Sequence, residues 1–363
     1  MREKLNEYHI TLLVYMIQSA VMFFSLPRLL AENFGTNGWL ALLIGSAVAT
    51  LNIYLISLVY RFGQRRSVFA ILEQSFSRIV LVPFYLALAT LCAMFGSMAL
   101  KQYILLFQTV SFPATNPTVF QFLCDILVFL LLRKGIYNIS KVATVFYYLT
   151  FWMFFTIPYF FDEFRWVRLT PFLFQGGTNQ FTDWLELYVA FLGYELSIFL
   201  IPYVSEKTRF ITAVYRGNFL LTVVYLGSSF ICLGFFSFQQ VSQLNNPLID
   251  LLAYIELPFV ERIENLLFAL FIFKIIITTT MYSWVAVETL QRVFTKASGT
   301  RISFLVMLGA YLFAYYPEVL PEVDIWLRDL GYMQMCVGFG LPLLLLLCLL
   351  LQRIFHKEET PNA

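Results

Sequence analysis

Phe191-Leu192-Gly193-Tyr194-Glu195-Leu196-Ser197 lies deep inside an otherwise apolar run over 184–204. A helical crossing of a bilayer takes about 20 residues, so the run is long enough to span one. A carboxylate at such depth is costly unless it faces protein or water. A glycine beside it tolerates backbone angles that other residues avoid. The stretch therefore predicts a membrane helix interrupted near its middle, with Glu195 turned away from lipid.

The rest of the 363-residue chain agrees with a membrane setting. Apolar residues make up 60 % and charged residues 13 %, against roughly 25 % charged in a soluble domain. Forty Phe and 21 Tyr suit lipid-facing packing and the headgroup level. Ten apolar runs fall near 10–30, 38–60, 80–109, 117–132, 142–161, 184–204, 217–237, 264–290, 302–316 and 331–352. The first follows a short charged start and shows no cleavage site, so it reads as a first span and not a signal peptide.

Charge placement tests that count. With the N-terminus inside, the inner segments hold 17 of the 24 Lys and Arg residues, among them Arg65, Arg66, Arg133, Lys134, Lys207 and Arg301. The outer segments hold four: Arg28, Arg165, Arg168 and Arg328. This alternation follows the positive-inside rule and predicts ten transmembrane helices with both termini cytoplasmic.

Ten spans divide into two halves of five with opposite orientation, the arithmetic of an inverted repeat. Ser25-Leu26-Pro27 near the end of the first run is matched 175 residues later by Leu200-Ile201-Pro202. The repeats are placed at about 9–161 and 184–352. Amphipathic connectors at about 67–78 and 247–263 would lie on the membrane surface. The expected fold is an all-α, 5+5 inverted repeat like that of amino-acid transporters (the LeuT/APC fold), in one transmembrane bundle.

In that architecture the first helices of both halves are broken, exposing backbone N–H and C=O groups. Half-helix N-termini can receive an anionic group. The sixth run supplies Leu192, Gly193, Tyr194 and Glu195. The first supplies Gln18, Ser19, Ala20 and Met22, though no glycine lies there. The eighth carries Lys274, Thr278 and Tyr282 at i, i+4, i+8, one polar stripe on a helix. The third places Gly96 near Lys101. Glu195, Lys101 and Lys274 are candidates for charge coupling. Each has a bland alternative, because polar residues also serve as interhelical glue. Asp125 is a further charge inside a run, with no role assigned.

Other chemistry is not indicated. The five cysteines all fall in apolar runs without a Cys-x-x-Cys, and read as buried thiols. His9 and His356 lie at opposite ends, so no metal site is expected. Phosphate-loop and hydrolase motifs are absent, so no enzyme activity and no cofactor are expected. Nothing suggests nucleic-acid binding.

The chain resembles the B subunit of GerA-type spore germination receptors. The likeness rests on Ser25-Leu26-Pro27, on Phe191 through Glu195, on the segment from Pro247 to Glu264, and on the Thr/Tyr stripe of the eighth run. It implies the amino acid–polyamine–organocation superfamily and residence in the spore inner membrane. It also implies assembly with A and C subunits and a small nutrient ligand. The pocket it implies comprises Ser19, Ala20, Met22, Gly96, Leu192, Gly193, Tyr194, Glu195, Thr278 and Tyr282. Relatives often carry a Gly-x-Gly-like pattern where this chain has Ala20-Val21-Met22. Met22 would narrow the pocket, which weighs against plain L-alanine as ligand. A proton-coupled amino-acid transporter of the same fold is the alternative reading.

Overall fold

A computed structural model describes residues 4–20, 22–111, 114–170, 174–255 and 263–358, with side chains through 354. Val21, Arg2, residues 256–262 of the segment that carried the resemblance, and the side chains of His356 and Lys357 lie outside the described residues.

The described chain is helical, with no strand in it. In order come α1 (Glu7–Gln18), α2 (Leu26–Phe34), α3 (Ala41–Phe62), α4 (Val68–Ser75), α5 (Arg78–Ser111), α6 (Pro117–Leu132) and α7 (Gly135–Phe151). There follow α8 (Phe181–Val189), α9 (Phe210–Phe235), α10 (Phe238–Gln243), α11 (Pro247–Leu252), α12 (Ile263–Val293), α13 (Gly299–Tyr315) and α14 (Leu320–Glu358). Tighter 3-10 turns extend several of them, notably Tyr194–Tyr203 after α8.

Six helices among the described residues are long and apolar enough to cross a bilayer, and seven if the bent pair Phe181–Val189 and Tyr194–Tyr203 is one span. Pro117–Leu132 and Gly299–Tyr315 are shorter apolar helices. Large apolar side chains such as Leu51, Val119, Phe122, Leu305, Leu312 and Leu347 face outward and exposed. On a soluble protein so much exposed apolar surface would be a liability; around a bundle it is the lipid-facing wall. The protein is a multi-pass membrane protein.

Close helix crossings depend on small residues, because lipid supplies no hydrophobic drive between helices. The longest contact is between α5 and α12. A Cβ on Gly96 would sit 3.0 Å from the Cβ of Tyr282, so the two backbones approach only because glycine is there. Thr279 Oγ1 donates to the Gly96 carbonyl at 3.1 Å across the same crossing, and Tyr103 O–H donates to the Phe268 carbonyl at 2.6 Å. Gly217 on α9 plays the corresponding part against Val14 of α1.

Four cysteines are buried, as the apolar runs suggest, but Cys336 is exposed. It lies on α14, whose apolar stretch is mostly outside the core. An apolar run marks contact with lipid as readily as contact with protein.

Two cavities lie at different levels along α12. One, of about 570 Å³, reaches Phe271 and Ile275. The other, of about 340 Å³, reaches Trp284, Glu288 and Arg292 and is also lined by Lys4, Ser67, Phe69 and Phe199. From Ile275 to Glu288 a helix rises roughly 20 Å at 1.5 Å per residue. The layer between them is closed by buried side chains, including Thr278, Thr279 and Tyr282.

Candidate functional site: two broken helices beside a cavity

The first apolar run is not one helix. α1 stops at Gln18 and α2 starts at Leu26. Between them Met22 takes a φ of +58°, in the left-handed region. The second interruption follows α8, where Gly193 takes a φ of +123°. That conformation is essentially restricted to glycine. The two breaks touch: a Cβ on Gly193 would stand 2.8 Å from Ile17 Cγ2 and 3.1 Å from the Gln18 nitrogen.

Unwinding a helix in a membrane leaves backbone groups that water cannot satisfy. Here neighbouring side chains meet them. Gln18 Nε2 donates to the Phe191 carbonyl at 2.7 Å and lies 3.2 Å from Asn218 Oδ1. The Tyr225 hydroxyl lies 3.1 Å from the Gln18 carbonyl and 3.0 Å from that of Ala190, tying the two breaks together. Thr278 Oγ1 donates to the Ile17 carbonyl at 2.9 Å. The last carbonyls of α1 are thus capped from α9 and α12.

Thr278→Leu removes one of these caps and adds bulk. Leaving the buried Ile17 carbonyl without its donor costs about 2 kcal/mol. The variant is expected to insert into membranes normally while its thermal midpoint falls, a change readable by melting the purified chain.

A second polar cluster surrounds Glu195, which is buried. One carboxylate oxygen accepts the Gly193 N–H at 2.6 Å. The other accepts the Tyr282 hydroxyl at 2.7 Å and Gln334 Nε2 at 3.2 Å. Glu195 therefore links the break to α12 and α14. The hydroxyls of Tyr188 and Tyr194 are hydrogen-bonded beside it. Among the described residues neither Lys101 nor Lys274 forms an ion pair with Glu195. Lys101 is buried on α5. Asp125 is buried with both carboxylate oxygens unpartnered among the described residues.

Of the residues singled out from the sequence, Ala20 and Met22 line the 570 Å³ cavity. Ser19, Leu192, Gly193 and Thr278 are buried at the meeting of the two breaks. Tyr194, Glu195 and Tyr282 form the second cluster. Gly96 lies at the α5–α12 crossing, away from the cavity.

The cavity also has a charged rim that sequence reasoning did not assign. Arg28 pairs with Glu32 at 2.8 Å and donates to Asn245 at 2.8 Å. Arg328 approaches Glu186 at 3.9 Å, and Gln102 donates to Asp324 at 2.7 Å. The floor is aromatic and aliphatic, from Phe23, Phe24, Phe271 and Ile275. In the sequence, Arg28 and Arg328 stand out only as two of the four basic residues on the sparse, outer side, a signal of orientation and not of a site. A concave, largely apolar site with a few placed polar groups is the usual form of a small-molecule pocket.

Met22 at the cavity edge pays for its left-handed backbone. Met22→Gly should relieve about 1 kcal/mol of strain and widen the cavity. The purified variant is expected to melt no lower than the parent and to accept bulkier ligands.

These elements define an all-helical, multi-pass membrane protein with paired helix breaks, and the chain belongs to the family of spore germination proteins, which it matches over residues 4–321. It is 25 % identical over 347 residues to Spore germination protein A2 of Bacillus subtilis (strain 168), covering 91 % of each chain. The protein is thereby related to GerA-type germinant receptor subunits.

Proposed function

We propose that the chain is the integral-membrane B subunit of a spore germinant receptor. It binds a small nutrient, an amino acid or similar solute, and signals to A and C partner subunits in the spore inner membrane. Ten crossings carry it, arranged as a five-plus-five inverted repeat over about 9–161 and 184–352, with both termini cytoplasmic. The nutrient enters the 570 Å³ cavity from the outer side and docks against the break between α1 and α2. The observation that carries this reading is that cavity, ending on a broken helix in a chain of the germination family. The position of Lys4, Ser67 and Arg292 around the other cavity supports the assignment of that end to the cytoplasm.

Binding acts by favouring one of two bundle conformations. It does so only by its differential affinity for them. The helix breaks are where such a difference is transmitted, since Tyr225 and Thr278 connect the end of α1 to α9 and α12.

A second reading is favoured by Glu195, a buried carboxylate at a helix break, which suits proton-coupled amino-acid transport. Two measurements separate the readings. Solubilised spore inner membranes should yield this chain together with A- and C-type subunits. Vesicles containing only this chain should not accumulate amino acids. Accumulation driven by a proton gradient, with no partners recovered, would make the chain a transporter.

A further inference from the structure

Lys274 is buried in the middle of α12, and among the described residues no carboxylate pairs with it. Its ammonium donates to the Tyr15 hydroxyl at 3.1 Å. It lies 5.1 Å from the ring centre of Tyr15, 5.0 Å from Phe271, 5.6 Å from Phe23 and 5.8 Å from Phe154. Aromatic faces attract a desolvated cation by about 2 kcal/mol each. That does not replace the full hydration of an ammonium group. A buried charge ordinarily has a countercharge, and none of the described residues supplies one.

A cavity of about 60 Å³ adjoins Lys274, with Thr150 and Ser228 among its lining residues. Phe23 and Phe271 line both this cavity and the 570 Å³ one. Their rings stack at 5.4 Å and 15°, forming the partition between the two. Phe23 lies in the non-helical stretch between α1 and α2, so its backbone is not held by a helix ladder. Phe23 also meets Phe24, Tyr225 and Lys274; each ring pair contributes about 1 kcal/mol beyond its burial, so opening the pair has a cost that the new ion pair must exceed.

We infer that Lys274 is the anion-recognising residue of the site and that the Phe23–Phe271 pair is the door to it. The ligand class is then a small carboxylate, such as an amino acid, and not a neutral sugar or nucleoside. The carboxylate displaces Phe23, enters the smaller cavity and supplies the countercharge that Lys274 lacks. This rests on the proposed nutrient-binding reading and specifies which nutrients satisfy it.

The test is thermal stabilisation of the purified full-length chain by a panel of the twenty amino acids, their carboxamides, glucose and inosine. At least one free amino acid should stabilise the wild type, and its carboxamide should bind about tenfold or more weakly, the scale of losing a buried charge pair. Lys274→Met should abolish the preference for acid over amide. Phe23→Ala should bind the acid at least as tightly and faster. An acid and its amide binding alike, or Lys274→Met keeping the preference, would overturn the inference. Stabilisation by glucose or inosine alone would also overturn it while leaving nutrient binding intact. Stabilisation by nothing in the panel would remove the binding reading itself. Should Lys274→Met fail to fold, the acid–amide comparison on the wild type decides.

Discussion

Gly193→Val is expected to destabilise the protein severely and to eliminate any ligand response. Two costs add. The new side chain would have to hold a φ of +123°, a region other residues avoid. Its Cβ would also stand 2.8 Å from Ile17 Cγ2 and 3.1 Å from the Gln18 nitrogen, well inside contact distance. Strain and overpacking together come to about 4 kcal/mol. The clash falls where the two breaks meet, so relief requires moving α1 against α8. Limited proteolysis and melting of the purified variant should show a loosened bundle. A variant that melts and responds like the wild type would mean that the chain there is an ordinary continuous helix.

Glu195→Ala has the second largest expected effect. It leaves the Gly193 N–H, the Tyr282 hydroxyl and the Gln334 amide without their shared acceptor. Unpaired buried donors cost about 1–3 kcal/mol each. Some rearrangement among the three brings the sum to about 3 kcal/mol. Glu195→Gln keeps an acceptor oxygen and the volume, and should lose much less. Melting of the two variants side by side checks this. Equal losses would mean that the charge itself, and not the hydrogen-bonded junction, is what the protein needs. That result, joined to a loss of proton-driven uptake, would favour transport over sensing.

The legibility of this chain from its sequence was uneven, for physical reasons. Gly193 beside Glu195 announced a break because both residues are anomalous in hydrocarbon. The break between α1 and α2 carries no such signal. No glycine stands there, and the Ile17 and Gln18 carbonyls that the break exposes are met by Thr278 and Tyr225. That compensation comes from residues more than 200 positions away, beyond any local pattern. Gly96 was legible as special, but a glycine serves a pocket and a helix crossing equally well. Only its distance to Tyr282 assigns it to the crossing. The stripe Lys274, Thr278, Tyr282 was legible as inward-facing. Its three members nevertheless do different things: Lys274 meets aromatic rings, Thr278 caps α1, and Tyr282 holds Glu195. The charged cavity rim was hidden because Arg28, Glu186 and Arg328 look like ordinary loop charges until folding brings them together.

The most direct test of nutrient sensing is germination of spores from which this chain has been deleted, with its partner subunits retained, over a panel of amino acids, sugars and nucleosides. The response to at least one nutrient is expected to be lost, and the wild-type chain should restore it. Thr278→Leu at equal protein level should shift that response to higher nutrient concentration. Spores that germinate identically with and without the chain, for every nutrient tested, would contradict nutrient sensing by the chain.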